Sequence, residues 1–585
     1  MKPGGLQKRR FLKKAITTSG KAFALDLVVL SLTAFLFLTS AYPVQGAAVP
    51  TSLSAEEIQT LGAKMYREGL LPSGEPIQAY VSGDVPVNGT SFACVSCHLR
   101  SGLGSIEAQV KTPPTNGRIL YQPREPFIKG SEFVPSFHNY AVDFPVRPAY
   151  TDETLANLIL TGDDPTGRSV LKVMPRYDID QEDMAILIAY LKTLSDEPSP
   201  GVSEDAFKFA TVVVEGTDQK KIDSMLAPLA YGIRRKNSMV NAAANNDREA
   251  RMSYNMLGPD LMKKKFLMKV WTLKGPSTAW RAQLEEYYRA DPVFVLLAGI
   301  SDNDWEPVHR FCEDYKIPDI LPIVDYPDLS DNDWYTLYFS RGVRQQGEAA
   351  ARYLNGMADL FTGRPIAQVI RDNRKARALA DGFRQTWDAA GHEPAIEVVL
   401  TENEPLTADR LIRINSDQKP AALLIWDDAS SLDAITALGQ EKDHPGLVLA
   451  SGTYFGQAIR TVPEQLRSLL YFTYPYRLPG EDARYDTMIR RVLRGRAPAA
   501  FDAKVLRQAY ITNELLAKAL KDMRGEYYRD FFLDTIDMME DAYYPLYERV
   551  SFGPGQRYIS KGCFIVQLGK GENPQLERRS DWVVQ

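Results

Sequence analysis

Apolar and polar positions follow two different patterns along the chain. From residue 207 onward, short apolar or β-branched runs alternate with longer charged stretches whose apolar positions recur at helical spacing. The runs are Phe209–Val214, Phe266–Leu273, Val293–Leu297, Ile320–Val324, Thr336–Phe339, Ile366–Ile370, Ile396–Leu400, Ala421–Trp426 and Leu447–Ala450. Helical stretches near 277–289, 303–315, 344–361, 374–390, 406–416 and 429–439 lie between many of them. This alternation predicts parallel sheets covered by helices, and the number of runs predicts two sheets. Residues 51–195 differ: they are rich in Pro, Gly and loops, with helical patterns at the two ends. Leu187, Tyr190, Leu191 and Leu194 make one apolar helix face near the second end. The polar, Pro- and Gly-containing stretch from Ser195 to Gly201 predicts a linker, so the expected units are 51–195, a linker over 196–206, and 207–585.

The N-terminus has a third texture. Lys8, Arg9, Arg10, Lys13 and Lys14 precede an apolar run from Phe23 to Ala41, and Gly46, Ala47 and Ala48 follow it. This pattern predicts an export signal over 1–48 and a periplasmic destination. If the segment is not cleaved, it anchors the chain in the membrane.

Length and composition then narrow the classes. A chain of 585 residues exceeds what one core supports. Its 44% hydrophobic and 24% charged residues and net charge of -5 are those of a globular protein. With no basic tract beyond the N-terminus, nucleic acid is not an expected partner. The sequence has no Gly-x-Ser-x-Gly, no His-Glu-x-x-His and no phosphate-binding glycine loop, so catalysis by this chain is not expected. Of the four cysteines, Cys312 and Cys563 stand far apart and could be a disulfide or two buried thiols.

The other two cysteines carry the sharpest motif, Cys94-Val95-Ser96-Cys97-His98, the attachment pattern of haem c. Each thiol adds across one vinyl group, and the adjacent histidine ligates iron. A thioredoxin-like motif would open a helix after a strand, and a zinc site would want a second ligand pair; the surrounding sequence offers neither. One covalent haem c is therefore expected. Met174, in a loop before Pro175, is the candidate for the sixth iron position, with Met184, Met65 and His138 as the alternatives.

Residues 55–195 resemble a class I cytochrome c. The resemblance rests on Gly62-Ala63-Lys64-Met65-Tyr66-Arg67-Glu68-Gly69, the haem motif, the Met-Pro loop and the closing Ala189-Tyr190-Leu191-Lys192, in family order. It implies a mostly α domain, with His98 and Met174 as axial ligands and Cys94 and Cys97 as thioether positions. Arg100-Ser101-Gly102-Leu103-Gly104 resembles cytochromes that serve quinoprotein dehydrogenases. That implies a redox partner protein, such a dehydrogenase or another cytochrome.

Residues 207–585 resemble type I periplasmic binding proteins, in particular the branched-chain amino-acid receptors. The resemblance rests on the order of strands, on a crossover at Tyr335–Gly347, on an expected return to the first lobe near Leu469–Arg477, and on the ending Tyr558–Gln567. It implies a bilobal α/β domain with a small-molecule ligand between the lobes, at strand carboxyl ends and helix amino ends. The matching positions are Ser301, Asp302, Ser340, Arg341, Asp427, Thr453, Tyr454 and Tyr474. Where those receptors have a Gly/Ser-rich segment after the first strand, this chain has Glu215-Gly216-Thr217-Asp218, a departure that bears on an amino-acid ligand. The expected whole is a mono-haem electron carrier with a receptor-like domain, or alternatively a solute receptor with an accessory haem.

Overall fold

The computed structural model of the chain describes residues 53–82, 84–107, 110–125, 144–302, 304–330, 332–357, 363–493 and 501–584. The expected signal over 1–48 and His138 lie outside the described residues. Among the described residues, no helix is long and apolar enough to cross a membrane.

The N-terminal unit is built on crossed helices. Helix Ala55–Glu68 opens with a capping box: Ser54 accepts from the Glu57 N–H while Glu57 accepts from the Ser54 N–H at 2.8 Å. It stops at Gly69, whose φ of 67° is left-handed. The closing helix Gln181–Thr193 crosses it where a Cβ on Gly62 would stand 2.3 Å from the Tyr190 Cβ, so only glycine permits the approach. The Tyr66 and Tyr190 rings meet beside this point at 5.7 Å. Helix Asp152–Thr161 adds Leu155 and Ile159 to the same core. Strands β1 (Gln78–Val81) and β2 (Val85–Asn88) form a hairpin, β3 (Ser105–Glu107) pairs with β4 (Val110–Thr112), and β5 (Arg176–Asp178) joins β1. These strands are three or four residues long, too short for an alternating pattern to show.

The parallel sheets form as the apolar runs predict. In the first lobe, β6 (Ala206–Val214), β7 (Lys265–Leu273), β8 (Val295–Leu297), β9 (Asp319–Ile320) and β10 (Thr336–Leu337) lie in the order β10-β9-β8-β6-β7, all parallel. In the second lobe, β11 (Ile366–Arg371), β12 (Ile396–Leu400), β13 (Ala422–Trp426), β14 (Leu447–Ser451) and β15 (Leu470–Tyr474) lie in the order β12-β11-β13-β14-β15. Both sheets therefore follow one winding, with the first strand between the second and the third.

The structure corrects the position of the return. Leu470–Tyr474 pairs in parallel with β14 as the fifth strand of the second sheet, and the chain crosses back only after it. Helices Ala483–Leu493, Ala503–Asp522 and Arg529–Asp537 then run over the first lobe, where Ala503–Asp522 packs on the long helix Gln219–Asn245. The hairpin β16 (Ala542–Tyr544) and β17 (Tyr547–Val550) follows. A third crossing leads to β18 (Gly562–Leu568), antiparallel to β15, and to β19 (Leu576–Arg578).

Cys312 and Cys563 are both free and fully buried, Cys312 in a first-lobe cluster and Cys563 on β18. They are two buried thiols, each acting as a small hydrophobe.

A buried carboxyl on β9 of the first sheet makes one prediction. Asp319 is fully buried; Trp305 Nε1 donates to its Oδ2 at 2.9 Å, and its Oδ1 has no hydrogen-bond partner. Burial, with a smaller push from Glu313, raises it to about 7. The unfolded carboxyl titrates near ~3.9, so between these values the folded state holds more protons and stability falls as pH rises, by ~1.4 kcal/mol per unit. Asp319→Asn keeps an acceptor for Trp305 and removes the titration. Urea unfolding is expected to show the variant about as stable as the parent at pH 4 and more stable, by on the order of 2–4 kcal/mol, at pH 8.

Candidate functional site

The haem motif occupies one helical turn, Val95–His98, with Cys94 as its N-cap residue. Backbone hydrogen bonds from Cys97 and His98 to the Cys94 carbonyl hold the turn. Cys94 is half-buried and Cys97 exposed, so one sulfur faces the domain interior and the other its surface. The ring of His98 is fixed by Nδ1, which lies 2.8 Å from the Pro113 carbonyl oxygen. A carbonyl can only accept, so Nδ1 carries the proton and Nε2 has the free lone pair. Burial lowers this imidazole to about 4, keeping it neutral.

The loop after the motif is tied down on several sides. Tyr66 donates to Leu99 O at 2.8 Å, Gly104 N to His98 O at 3.1 Å, and Ser105 Oγ to Cys97 O at 2.9 Å. Tyr177 donates to Phe92 O at 2.6 Å just before the motif. Cys94, Val95 and Met174 pack against the same apolar cluster, which includes Met65, Tyr66 and Leu187. Met174 is half-buried in a loop, its carbonyl accepting from Arg176 at 2.6 Å. Met65 and Met184, by contrast, are closed within helices, 1% and 2% exposed.

Two thiols two residues apart, a neutral imidazole with Nε2 free, and a thioether on the same apolar cluster fit the donor set that a covalent haem would need. Among the described residues, no group of three or more His, Cys, Asp or Glu side chains is placed to hold a bare metal ion.

The second candidate site lies where the chain first passes between the lobes. A cavity of about 460 Å³ is lined by Asp325, Tyr326, Asp328, Arg341, Arg344 and Arg374. Arg374 opens helix Arg374–Ala389; its guanidinium stands 4.2 Å from the Tyr326 ring centre and 3.4 Å from Asp304 of the first lobe. Arg341 and Arg344 share Glu348, at 2.9 and 3.3 Å. Asp328 and Asp325 face Arg310 and Lys504 at 3.6 and 3.9 Å. Each of the three guanidiniums therefore has a carboxylate within 4 Å, with Glu348 shared between two of them.

Of the eight expected ligand residues, only Arg341 lines this cavity. Ser301 is buried, and exposed Asp302 pairs with Lys221. Ser340 accepts from Gly342 N inside a turn. Asp427 is buried against Arg371 in a bidentate pair at 2.5 and 3.0 Å. Thr453 accepts from Gln346 at 2.9 Å, and Tyr454 from Asn373 at 2.5 Å. Tyr474 stacks edge-on with Tyr476. Most of these positions serve the packing of the lobes. Arg344 and Arg374 are the cavity residues that sequence reasoning missed. Arg374 follows β11 as the first residue of a helix, so the rule that selected Ser301 and Asp427 applied to it equally.

No family model matches the chain, and no curated protein matches it. Among solved structures, it is similar to an ABC transporter substrate-binding protein from Sphaerobacter thermophilus, at 14% identity over 64% of this chain and 97% of that one, TM-score 0.47. It is similar to a solute-binding protein of an ABC transporter from Rhodopseudomonas palustris BisB5 in complex with 3,4-dihydroxybenzoic acid, at 16% identity over 65% and 99%, TM-score 0.44. A branched-chain amino acid ABC transporter protein from Thermus thermophilus with bound valine is similar at 13% identity over 65% and 97%, TM-score 0.42. The two wound sheets with three crossings between them give this chain a bilobal α/β architecture.

Proposed function

We propose that the protein is an exported mono-haem c-type cytochrome joined to a two-lobed solute-binding domain, the first exchanging electrons with a partner protein and the second taking a small organic anion. The observation that carries the haem reading is the His98 ring, locked by Pro113 with Nε2 free, directly after two cysteines at thioether spacing. Cys94 and Cys97 would hold the haem covalently, and His98 and Met174 would occupy the two axial positions. Bound there, haem c supplies a one-electron couple. The chain's residues then set its surroundings: His98 gives a neutral nitrogen donor, and the Met174 thioether favours the reduced state. Covalent attachment needs both thiols accessible to the haem vinyl groups, so it would precede folding. Such attachment takes place after export, which fits the signal-like N-terminus and a periplasmic location.

The arginine cavity favours a receptor role for the second domain. Arg374 reaches both Tyr326 and Asp304, so a carboxylate entering there would exchange an interlobe ion pair for a ligand contact. The test is to produce the full chain in a host that matures cytochromes c, assay covalent haem by pyridine haemochrome, and screen small carboxylates by thermal shift. One haem per chain is expected, with stabilisation by at least one carboxylate that Arg374→Ala reduces. A ligand at 100 times its Kd adds about 2.7 kcal/mol. Protein without covalent haem would refute the electron-transfer reading and leave the receptor reading standing.

A further inference from the structure

A second cavity, of about 340 Å³, opens on the outer face of the first lobe and shares no lining residue with the interlobe cavity. It lies between helices Gln219–Asn245 and Ala503–Asp522, and Met239, Leu257, Phe266, Ile489 and Leu516 make its apolar wall. Its charged groups are of one dominant sign: Arg235, Lys236, Lys518 and Lys521, against Glu514 alone. Lys236 is the unusual member. It is 6% exposed, its Nζ donates to the carbonyls of Leu261 and Lys264 at 2.6 and 2.7 Å, and the Phe266 ring centre is 4.9 Å away. Among the described residues no carboxylate pairs with it. Two carbonyl dipoles orient this ammonium without neutralising it, and a buried cation in that state is costly unless an anion joins it.

We propose that this cavity is a ligand site for a free medium-chain carboxylate, whose head group meets the lysines while its tail lies on the apolar wall. The volume limits the occupant. About 340 Å³ lies at the small end of the ~300–1,000 Å³ typical of small-molecule sites, which suits a single short-tailed carboxylate rather than a two-chain lipid. Apolar walls with a few convergent polar groups are the usual make-up of a small-molecule site. Ligand here would bridge the long first helix of the lobe and the helix that returns to it after the second crossing.

Isothermal titration of the full-length protein with octanoate, octanol and octylamine tests the proposal. Octanoate is expected to bind saturably, one per chain. Octanol should bind at least ~10-fold more weakly, since a charge-assisted hydrogen bond is worth about 1.5–3 kcal/mol, and octylamine should not bind. Ala517→Trp, at an exposed lining position, should abolish binding by filling the cavity, while Arg374→Ala in the interlobe cavity should leave it unchanged. Should Ala517→Trp fail to fold, Lys518→Glu at the exposed rim should give the same loss. The proposal is overturned if octanoate does not bind, if octanol binds as tightly, if both cavity variants bind like the parent, or if Arg374→Ala removes binding.

Discussion

Replacing Cys94 and Cys97 together by alanine is expected to leave no haem on the denatured chain, whereas either single replacement retains some through the remaining thioether. The two sulfurs differ in setting, one packed towards the core and one at the surface, yet they share a single helical turn anchored at the Cys94 carbonyl. A haem stain of denaturing gels reads this outcome without relying on spectra. His98→Ala separates attachment from ligation: both thiols remain, but the nitrogen that Pro113 orients is gone. Its product is expected to carry covalent haem with an altered, no longer low-spin spectrum. Met174→Ala should keep both haem and histidine ligation and lower the reduction potential by tenths of a volt, within the ~0.8 V span that axial ligands control. If the potential stayed put in Met174→Ala and moved in Met184→Ala, the axial assignment would transfer to Met184.

The parts of the molecule differ in how openly their sequence declares them. Val295–Leu297 and Ala422–Trp426 are buried on every residue, and such continuous apolar runs announce central parallel strands. Leu470–Tyr474 was not among the expected strands; nothing local says which sheet it joins, and the return was expected one element too early. Helix Gln219–Asn245 was not among the expected helices; it carries Pro228 in its interior and holds because Met225 and Leu229 are buried against the first lobe. The Cys94–His98 motif stood out because the attachment chemistry it implies fixes its spacing. The arginine cavity was not, because Tyr326, Arg341 and Arg374 come from three segments that only the crossing brings together. Residues such as Asp427 have the right topological address, but their side chains are spent on neighbours.

The contact between the two halves was least visible, and it yields the second large prediction. Asp534→Leu is expected to undock the haem-motif domain from the first lobe. Asp534, 2% exposed on helix Arg529–Asp537, accepts from the backbone of Ser101 at 2.8 Å and of Arg100 at 3.3 Å, three and two residues after His98. Around it, Arg67 and Arg100 approach Asp530 at 3.7 Å, Arg118 pairs with Glu526 at 2.5 Å, and the Arg100 guanidinium lies 4.7 Å from the Trp334 ring centre. Leu103 is counted among the buried residues of the first-lobe core. Leucine at 534 would leave two buried N–H groups without an acceptor, at about 1–3 kcal/mol each. Limited proteolysis within Ser195–Gly201 should accelerate accordingly; an unchanged rate would show that Leu103 and the arginines suffice. The pH dependence gives a separate check. Burial raises the docked Asp534 carboxyl to about 6, with Asp530 adding to the shift, while an undocked one titrates near ~3.9. The docked form therefore holds more protons between those values, so acid favours docking and cleavage should quicken as pH rises from 4 to 7. Asp534→Leu should lose that part of the pH profile. The same helix carries Asp537, paired with Arg557 of the third crossing at 2.5 Å, so one rigid element touches both the loop beside His98 and a strand-to-strand connection between the lobes. Any rotation of the lobes that moves Arg557 acts on the helix that holds Arg100 and Ser101, whereas an N-terminal domain on a free tether would feel none of it.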